Sequence, residues 1–351
     1  MKRIKKCFIL ILSLSLLITG TIIPCHASSN SELGYAIETV ESRLSKESYV
    51  PVENVYLSNA HPLYDFDSNN TPAGNLYFVF DGNRHIGTLL VYLFNNQYVS
   101  TFTFESHSEI ETALQNGSRV SFGRTNGCFL MFIGSTMHII ENTENVLSSS
   151  IEVSTSNIQS NTISASTVLT IAPSARSIYY FLPADIVPNS SVNGVGICWA
   201  AALASKINFQ TDSDVTAEYV YFKCWNEVGN SPDDIPVGND RWYQIGALIH
   251  GIYLTMFDGP LNKQTIGSAL SEGKPIIISV QDIRDSQTTY SHALLLCGFD
   301  EDADYYELAF VDSNKSNYVY LTFPHSVLNS ASNFYYQTGS RVYTQWSRSR
   351  Y

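Results

Sequence analysis

Apolar positions along this chain change their period several times, and each change marks a different kind of element. Residues 33–46 carry Ala36, Ile37, Val40 and Leu44 three and four apart, which predicts one amphipathic helix. From about Tyr56 to Ile140 the pattern becomes aromatic and β-branched runs broken by turn residues. Leu76 to Phe80, Ile86 to Phe94 and Tyr98 to Phe104 are predicted strands, with Asp81-Gly82 as a hairpin turn between the first two. A short helix over Ile110 to Leu114 and two further strands, around Val120 and over Phe129 to Ile140, complete a small antiparallel sheet.

Residues 148–177 break that pattern. More than half of them are Ser, Thr or Asn, with hardly any charge and no sustained period. Such a tract buries too little apolar surface to offset its ordering entropy, so it is expected to be a linker or an exposed strap. Its end, Ala172-Pro173-Ser174-Ala175-Arg176-Ser177, is a candidate processing region.

Dense patterning returns from about Ser177. Helices are predicted over 198–207, 215–227, 243–253 and 264–272, with Gly273 at the C-cap position of the last. Strands follow at Pro275 to Val280, His292 to Phe299, Tyr305 to Val311, Tyr318 to Phe323 and Val342 to Gln345. Helices before strands predict an α+β arrangement, in which a helical lobe faces a strand-rich lobe across a cleft.

The N-terminus adds a destination. Lys2, Arg3, Lys5 and Lys6 precede an apolar run ending near Ile23, and Cys25-His26-Ala27 supplies cleavage-site residues. This is the pattern of a secretory signal over residues 1–27 and predicts an extracellular, bacterial-type secreted protein. A lipid anchor on Cys25 is disfavoured by Pro24, which stands where a small residue is wanted. No later apolar run reaches the ~20 residues that a membrane span takes, so no membrane association is expected after cleavage. Signal removal takes the formal charge from −12 to about −16, which argues against nucleic acid as a partner.

Four cysteines remain after the signal: Cys128, Cys198, Cys224 and Cys297. Their spacing fits neither a zinc site nor a disulfide scaffold, and a single bridge, such as Cys224 to Cys297, is left open by the sequence. Asp300, Asp302 and Asp304 alternate like a calcium loop. Tyr305 and Val311, however, occupy the positions where such a loop requires glycine and glutamate. No metal or cofactor is expected.

The chemistry concentrates at Cys198, which opens the run Cys-Trp-Ala-Ala-Ala-Leu-Ala-Ser. A thiol in the first turn of a helix meets the positive end of the macrodipole, which favours thiolate. Asn193, Gly194 and Gly196 precede it in a loop able to approach a substrate carbonyl, which makes Asn193 and the Cys198 backbone N–H candidate oxyanion donors. His292, at the expected exposed start of an apolar strand, is the candidate base, and Asp312, at the end of the next strand, the candidate group that orients it. Asn314 is the alternative third residue. His250 is expected to be a core histidine, His325 a surface group, and His61, His85, His107 and His138 receive no role.

The segment Gly196-Ile197-Cys198-Trp199 resembles the nucleophile segment of papain-like cysteine peptidases. Leu270-Ser271-Glu272-Gly273-Lys274-Pro275-Ile276-Ile277, then Ser291-His292-Ala293 and Asp312 a strand later, is similar to the compact branch of staphopains and double-glycine leader peptidases. The resemblance spans roughly residues 178–345. It implies a two-lobed papain-like domain over 178–351, a Cys198–His292–Asp312 thiolate mechanism, and a protein or peptide substrate. It also implies that residues 28–147 are a prodomain acting as an intramolecular inhibitor of a zymogen. One departure is plain: the family's oxyanion glutamine falls on Val192, with Asn193 one step later. The competing functions are a cell-wall amidase or transamidase with the same Cys-His pair, and an inactive secreted binding protein.

Overall fold

The computed structural model describes residues 31–46, 51–94, 96–125, 128–142, 151, 153–155, 158–171, 179–229, 236, 238–282, 290–301, 305–324, 334–338 and 341–351. The signal sequence, the processing region 172–177, His325, Asp302 and Asp304 lie outside the described residues.

The helices are α1 (Glu32–Lys46), α2 (Ser108–Gln115), α3 (Cys198–Thr211), α4 (Ala217–Glu227), α5 (Asp240–Ile249) and α6 (Lys263–Ser271). The first strands are β1 (Val55–Ser58), β2 (His61–Asp65), β3 (Thr71–Asp81), β4 (Arg84–Phe94), β5 (Gln97–Thr103), β6 (Arg119–Thr125), β7 (Cys128–Ile133) and β8 (Thr136–Asn142). Five short strands follow: β9 (Asn161–Thr162), β10 (Ala165–Val168), β11 (Tyr179–Phe181), β12 (Ser191–Val192) and β13 (Val195–Gly196). The last are β14 (Met256–Asp258), β15 (Ile276–Asp282), β16 (Tyr290–Glu301), β17 (Tyr305–Asp312), β18 (Val319–Pro324), β19 (Tyr336–Thr338), β20 (Arg341–Tyr343) and β21 (Gln345–Arg350).

Most of these elements coincide with the apolar periods, and the Asp81-Gly82 step turns β3 into β4 with Gly82 at φ +61°. Their assembly differs from the expectation. Seventeen strands join one mixed sheet, and only the hairpins β12–β13 and β19–β20 stand apart among the described residues. The N-terminal strands run β3–β4–β5 by antiparallel pairing, and β5 then pairs with β18. From there the sheet continues through β17, β16, β15 and β21 to β14. A parallel contact of β2 with β6 brings in β7 and β8.

The papain-like two-lobed α+β fold is therefore not what forms. The described helices are short and lie on the faces of a sheet that runs through both halves of the chain, instead of gathering in a lobe opposed to a separate β lobe. The physical reason is the open edge of β5. Its unpaired N–H and C=O groups are met by β18, with Val319 opposite Thr103 and Leu321 opposite Thr101. Part of the Ser/Thr/Asn tract is also used as edge strand, β9 on β6 and β10 on β1.

Alternation along β16 explains the two cores. Ala293, Leu295 and Cys297 pack with α1, α3, α4 and α5, whereas Leu294 and Leu296 pack with α2 and α6. Burial on both faces is why this strand reads as a continuous apolar run. Helix α1 is fixed at its C-terminal end by charge: Arg43 donates to Glu307 at 2.6 Å and lies 4.0 Å over the Tyr320 ring. One turn on, Lys46 pairs with Asp300 and Glu307.

Candidate functional site

Helix α3 forms because Ala200, Ala201, Ala202, Leu203 and Ala204 are strong helix formers, and it stops at Asp212 in a left-handed conformation (φ 51°). It is buried all round from Trp199 to Asn208, which fixes its position over the sheet. No side chain caps its start at Ile197, and with Ala200 and Ala201 already donating to the Ile197 carbonyl, the N–H groups of Cys198 and Trp199 are the ones left at this helix end. Cys198 itself is half-buried.

His292 and Asp312 reach this helix end by strand register. Asp312 on β17 stands opposite Leu294 on β16, and a diagonal step of two residues brings it beside His292. His292 Nε2 and Asp312 Oδ1 are 2.8 Å apart. That contact leaves Nδ1 for the side of Cys198, and His292 and the backbone N–H of Ala293 both favour the Cys198 thiolate. The structure thus brings Cys198, His292 and Asp312 together, with His292 hydrogen-bonded to Asp312 and acting electrostatically on the Cys198 thiol. It corrects the placement of His292, which is buried (4 % exposed) within β16 instead of exposed at its start.

Each member is shifted toward its charged form against its own burial. Burial raises the Cys198 pKa, but the hydrogen bond and positive charge of His292, with the Ala293 N–H, bring it below the ordinary thiol value. Burial, the largest single influence, lowers the His292 pKa, but the Asp312 carboxylate, Tyr343 and Cys198 together outweigh it, so the imidazole titrates well above its usual range. Burial raises Asp312, and the His292 charge, the Tyr336 hydroxyl and the Asn314 backbone N–H together hold it below the usual carboxylate range. A thiolate–imidazolium pair braced by a carboxylate is the species a cysteine nucleophile requires.

Asn193 is not brought into this group. It sits exposed at the tip of the β12–β13 hairpin at φ +53°, followed by Gly194 at φ +79°. Two successive left-handed residues are the geometry of an Asn-Gly hairpin turn, and no hydrogen bond joins the Asn193 side chain to the three residues. The structure thus places Asn193 at a hairpin turn, without a hydrogen bond to these residues, while the backbone N–H groups of Cys198 and Trp199 stand at the start of α3. The Asn314 side chain is turned toward Asn189, and only its main chain touches the group. Its backbone N–H donates to Asp312 Oδ1 at 2.9 Å, while its side chain accepts from Asn189 Nδ2 at 3.0 Å. That bond, with Asn189 N–H donating to the Ser313 carbonyl at 2.8 Å, ties the loop after Asp312 to the segment leading to the nucleophile.

Three residues escaped the sequence analysis. Tyr336 donates its hydroxyl to Asp312 Oδ2. Tyr343 stacks on His292 with ring centroids 5.6 Å apart. Lys315, three residues beyond Asp312, pairs with Glu141 from the N-terminal half. Only the crowding of tyrosines near the C-terminus hinted at the first two.

The remaining expectations resolve simply. His250 is the C-cap of α5, partly exposed and in ring contact with Tyr219, instead of a core histidine. Cys224 and Cys297 form no bridge: their thiols donate to the carbonyls of Trp242 and Ala309. Asp300 pairs with Lys46. Among the described residues no group of three or more His, Cys, Asp or Glu is gathered as a metal site, and no helix is long and apolar enough to cross a membrane. No family model matches the chain, and no curated protein matches it.

Proposed function

We propose that the protein is a secreted cysteine peptidase that hydrolyses peptide bonds through Cys198, His292 and Asp312. The observation that carries this reading is the buried His292–Asp312 pair, hydrogen-bonded at 2.8 Å, standing beside the half-buried Cys198 at the start of α3. The proposal rests on this constellation and not on a fold.

In the proposed reaction the Cys198 thiolate attacks the peptide carbonyl carbon. The oxyanion meets the N–H groups at the uncapped start of α3. His292 imidazolium then gives its proton to the leaving nitrogen as the C–N bond breaks, leaving a thioester on Cys198. A water molecule next loses a proton to His292 and attacks the thioester carbon. Breakage of the C–S bond releases the acid and restores thiolate and imidazolium.

The test uses the full chain with casein as substrate and iodoacetamide as thiol probe. Wild type is expected to hydrolyse casein and to be labelled at Cys198, and Cys198→Ala to lose both. Undiminished hydrolysis by Cys198→Ala removes the assignment, and digestion of peptidoglycan in place of casein reassigns the substrate.

An inhibitory role for residues 28–147 is a second part of the proposal, supported by the location of all three groups beyond residue 177. Limited proteolysis within 172–177 is expected to raise casein hydrolysis by loosening residues 28–147 from the site, although the two pieces stay paired through β5 and β18. An unchanged rate after complete cutting removes the inhibitor role.

A further inference from the structure

The hairpin β19–β20 stands outside the main sheet, yet both of its paired tyrosines point at the site. Tyr336 and Tyr343 are direct cross-strand partners, with rings 6.1 Å apart and 17° from parallel. Tyr336 is fully buried and its hydroxyl donates to Asp312 Oδ2. Tyr343, 5 % exposed, lays its ring against the His292 imidazole at 23° from parallel. One tyrosine therefore holds the carboxylate and the other the ring that the carboxylate orients.

The stem of this hairpin is itself anchored. Tyr335, next to Tyr336, packs its ring at a 36° tilt on Tyr92 of β4 with centroids 4.0 Å apart, and its carbonyl accepts from the Tyr92 hydroxyl at 3.1 Å. A short two-stranded hairpin is marginal by itself, so the anchor accounts for its fixed position over the site. We propose that Tyr336 and Tyr343 are positioning residues: Tyr336 locks the Asp312 carboxylate against rotation, and Tyr343 braces the face of the His292 ring. The inference rests on the cysteine peptidase assignment.

The two tyrosines act in opposite electrostatic directions. A hydroxyl donating to Asp312 draws part of the carboxylate charge away from His292, so its loss strengthens the imidazolium. An aromatic face against the ring stabilises the cation, so its loss weakens the imidazolium. The other groups facing His292 are Cys198 and Asp312. Those facing Asp312 are His292, the Asn314 N–H and, at longer range, Lys315 and Glu141. Neither substitution alters any of them.

The experiment measures iodoacetamide alkylation of Cys198 against pH in the full chain for wild type, Tyr336→Phe and Tyr343→Leu, with kcat and KM on casein peptides alongside. Tyr336→Phe is expected to move the alkaline limb up by about half a unit or more, and Tyr343→Leu to move it down by a similar amount. Each is expected to lower kcat about tenfold or more with KM nearly unchanged, as lost orientation requires. A merely structural role lowers the folded fraction and leaves both limbs in place. Should Tyr336→Phe fail to fold, the downward shift in Tyr343→Leu carries the test alone. A reactive Cys198 with unmoved limbs in the folded variants overturns this inference only, whereas an unreactive Cys198 in wild type overturns the assignment beneath it.

Discussion

His292 Nε2 lies 2.8 Å from Asp312 Oδ1, and neither side chain has appreciable contact with solvent. A buried imidazole would ordinarily be neutral, and this carboxylate is the main reason it is not. Asp312→Asn keeps the shape and removes the charge. The variant is expected to lose about 10²-fold or more in kcat, with the alkaline limb of the rate profile moved to lower pH. The sign follows from the shift: the raised His292 pKa keeps the imidazolium through neutral pH, and losing Asp312 lets it deprotonate earlier. A pH–rate series on both proteins checks this.

Arg43 is fully buried, bonded to Glu307 and seated over Tyr320, so it welds α1 to β17 and β18. Arg43→Ala leaves the Glu307 carboxylate buried with only Lys46 to answer it. A loss of about 3–5 kcal/mol is expected in urea unfolding. Lys263, paired with Glu301 on the surface, is the control, and Lys263→Ala is expected to leave the unfolding curve unchanged.

Lys206 faces a different problem. It is buried in α3, its ammonium donates to the Pro275 carbonyl, and burial brings its pKa down to about 7. Because the folded pKa lies below the unfolded value, the unfolded chain binds more protons between the two. Stability therefore rises with pH from about 7 toward the ordinary lysine value of 10.5. Lys206→Met is expected to raise Tm by several degrees at or below neutral pH, with the gain fading as the pH climbs through that window. Thermal scans across pH measure it.

The β5–β18 pairing predicts how the chain responds to being divided. Residues 179–351 alone present the β18 edge and the Glu307 and Asp300 carboxylates without Arg43 and Lys46. They are expected to aggregate, whereas a chain cut within 172–177 is expected to stay together as two associated pieces. Light scattering and size-exclusion chromatography distinguish these outcomes, and a monodisperse, folded C-terminal piece contradicts the prediction.

What could be read in advance was local. The helix opening at Cys198, the apolar run after His292 and the strand ending at Asp312 each show in a few neighbouring residues, because period and propensity are short-range. Strand partnership is not: β5 and β18 are more than two hundred residues apart, and β21 lies between β14 and β15 although it comes last. Nothing in Val319-Tyr320-Leu321 names Thr101 and Thr103 as its neighbours, and so a separate β lobe looked sufficient. Asn193-Gly194 between Val192 and Val195 carries the dipeptide signature of a hairpin turn, and that is where the fold places it. Tyr336 carries no periodic mark at all, since its role depends on one hydroxyl reaching one carboxylate across the fold.

The central claim is a thiolate at Cys198 sustained by His292. The most direct measurement is the rate of Cys198 alkylation at mildly acidic pH, about two units below the ordinary thiol pKa of about 8.5. Rapid alkylation in wild type, reduced at least about tenfold in His292→Ala, is the predicted result. Equal rates in the two proteins, or a wild-type thiol that reacts only above its ordinary pKa, contradict the account.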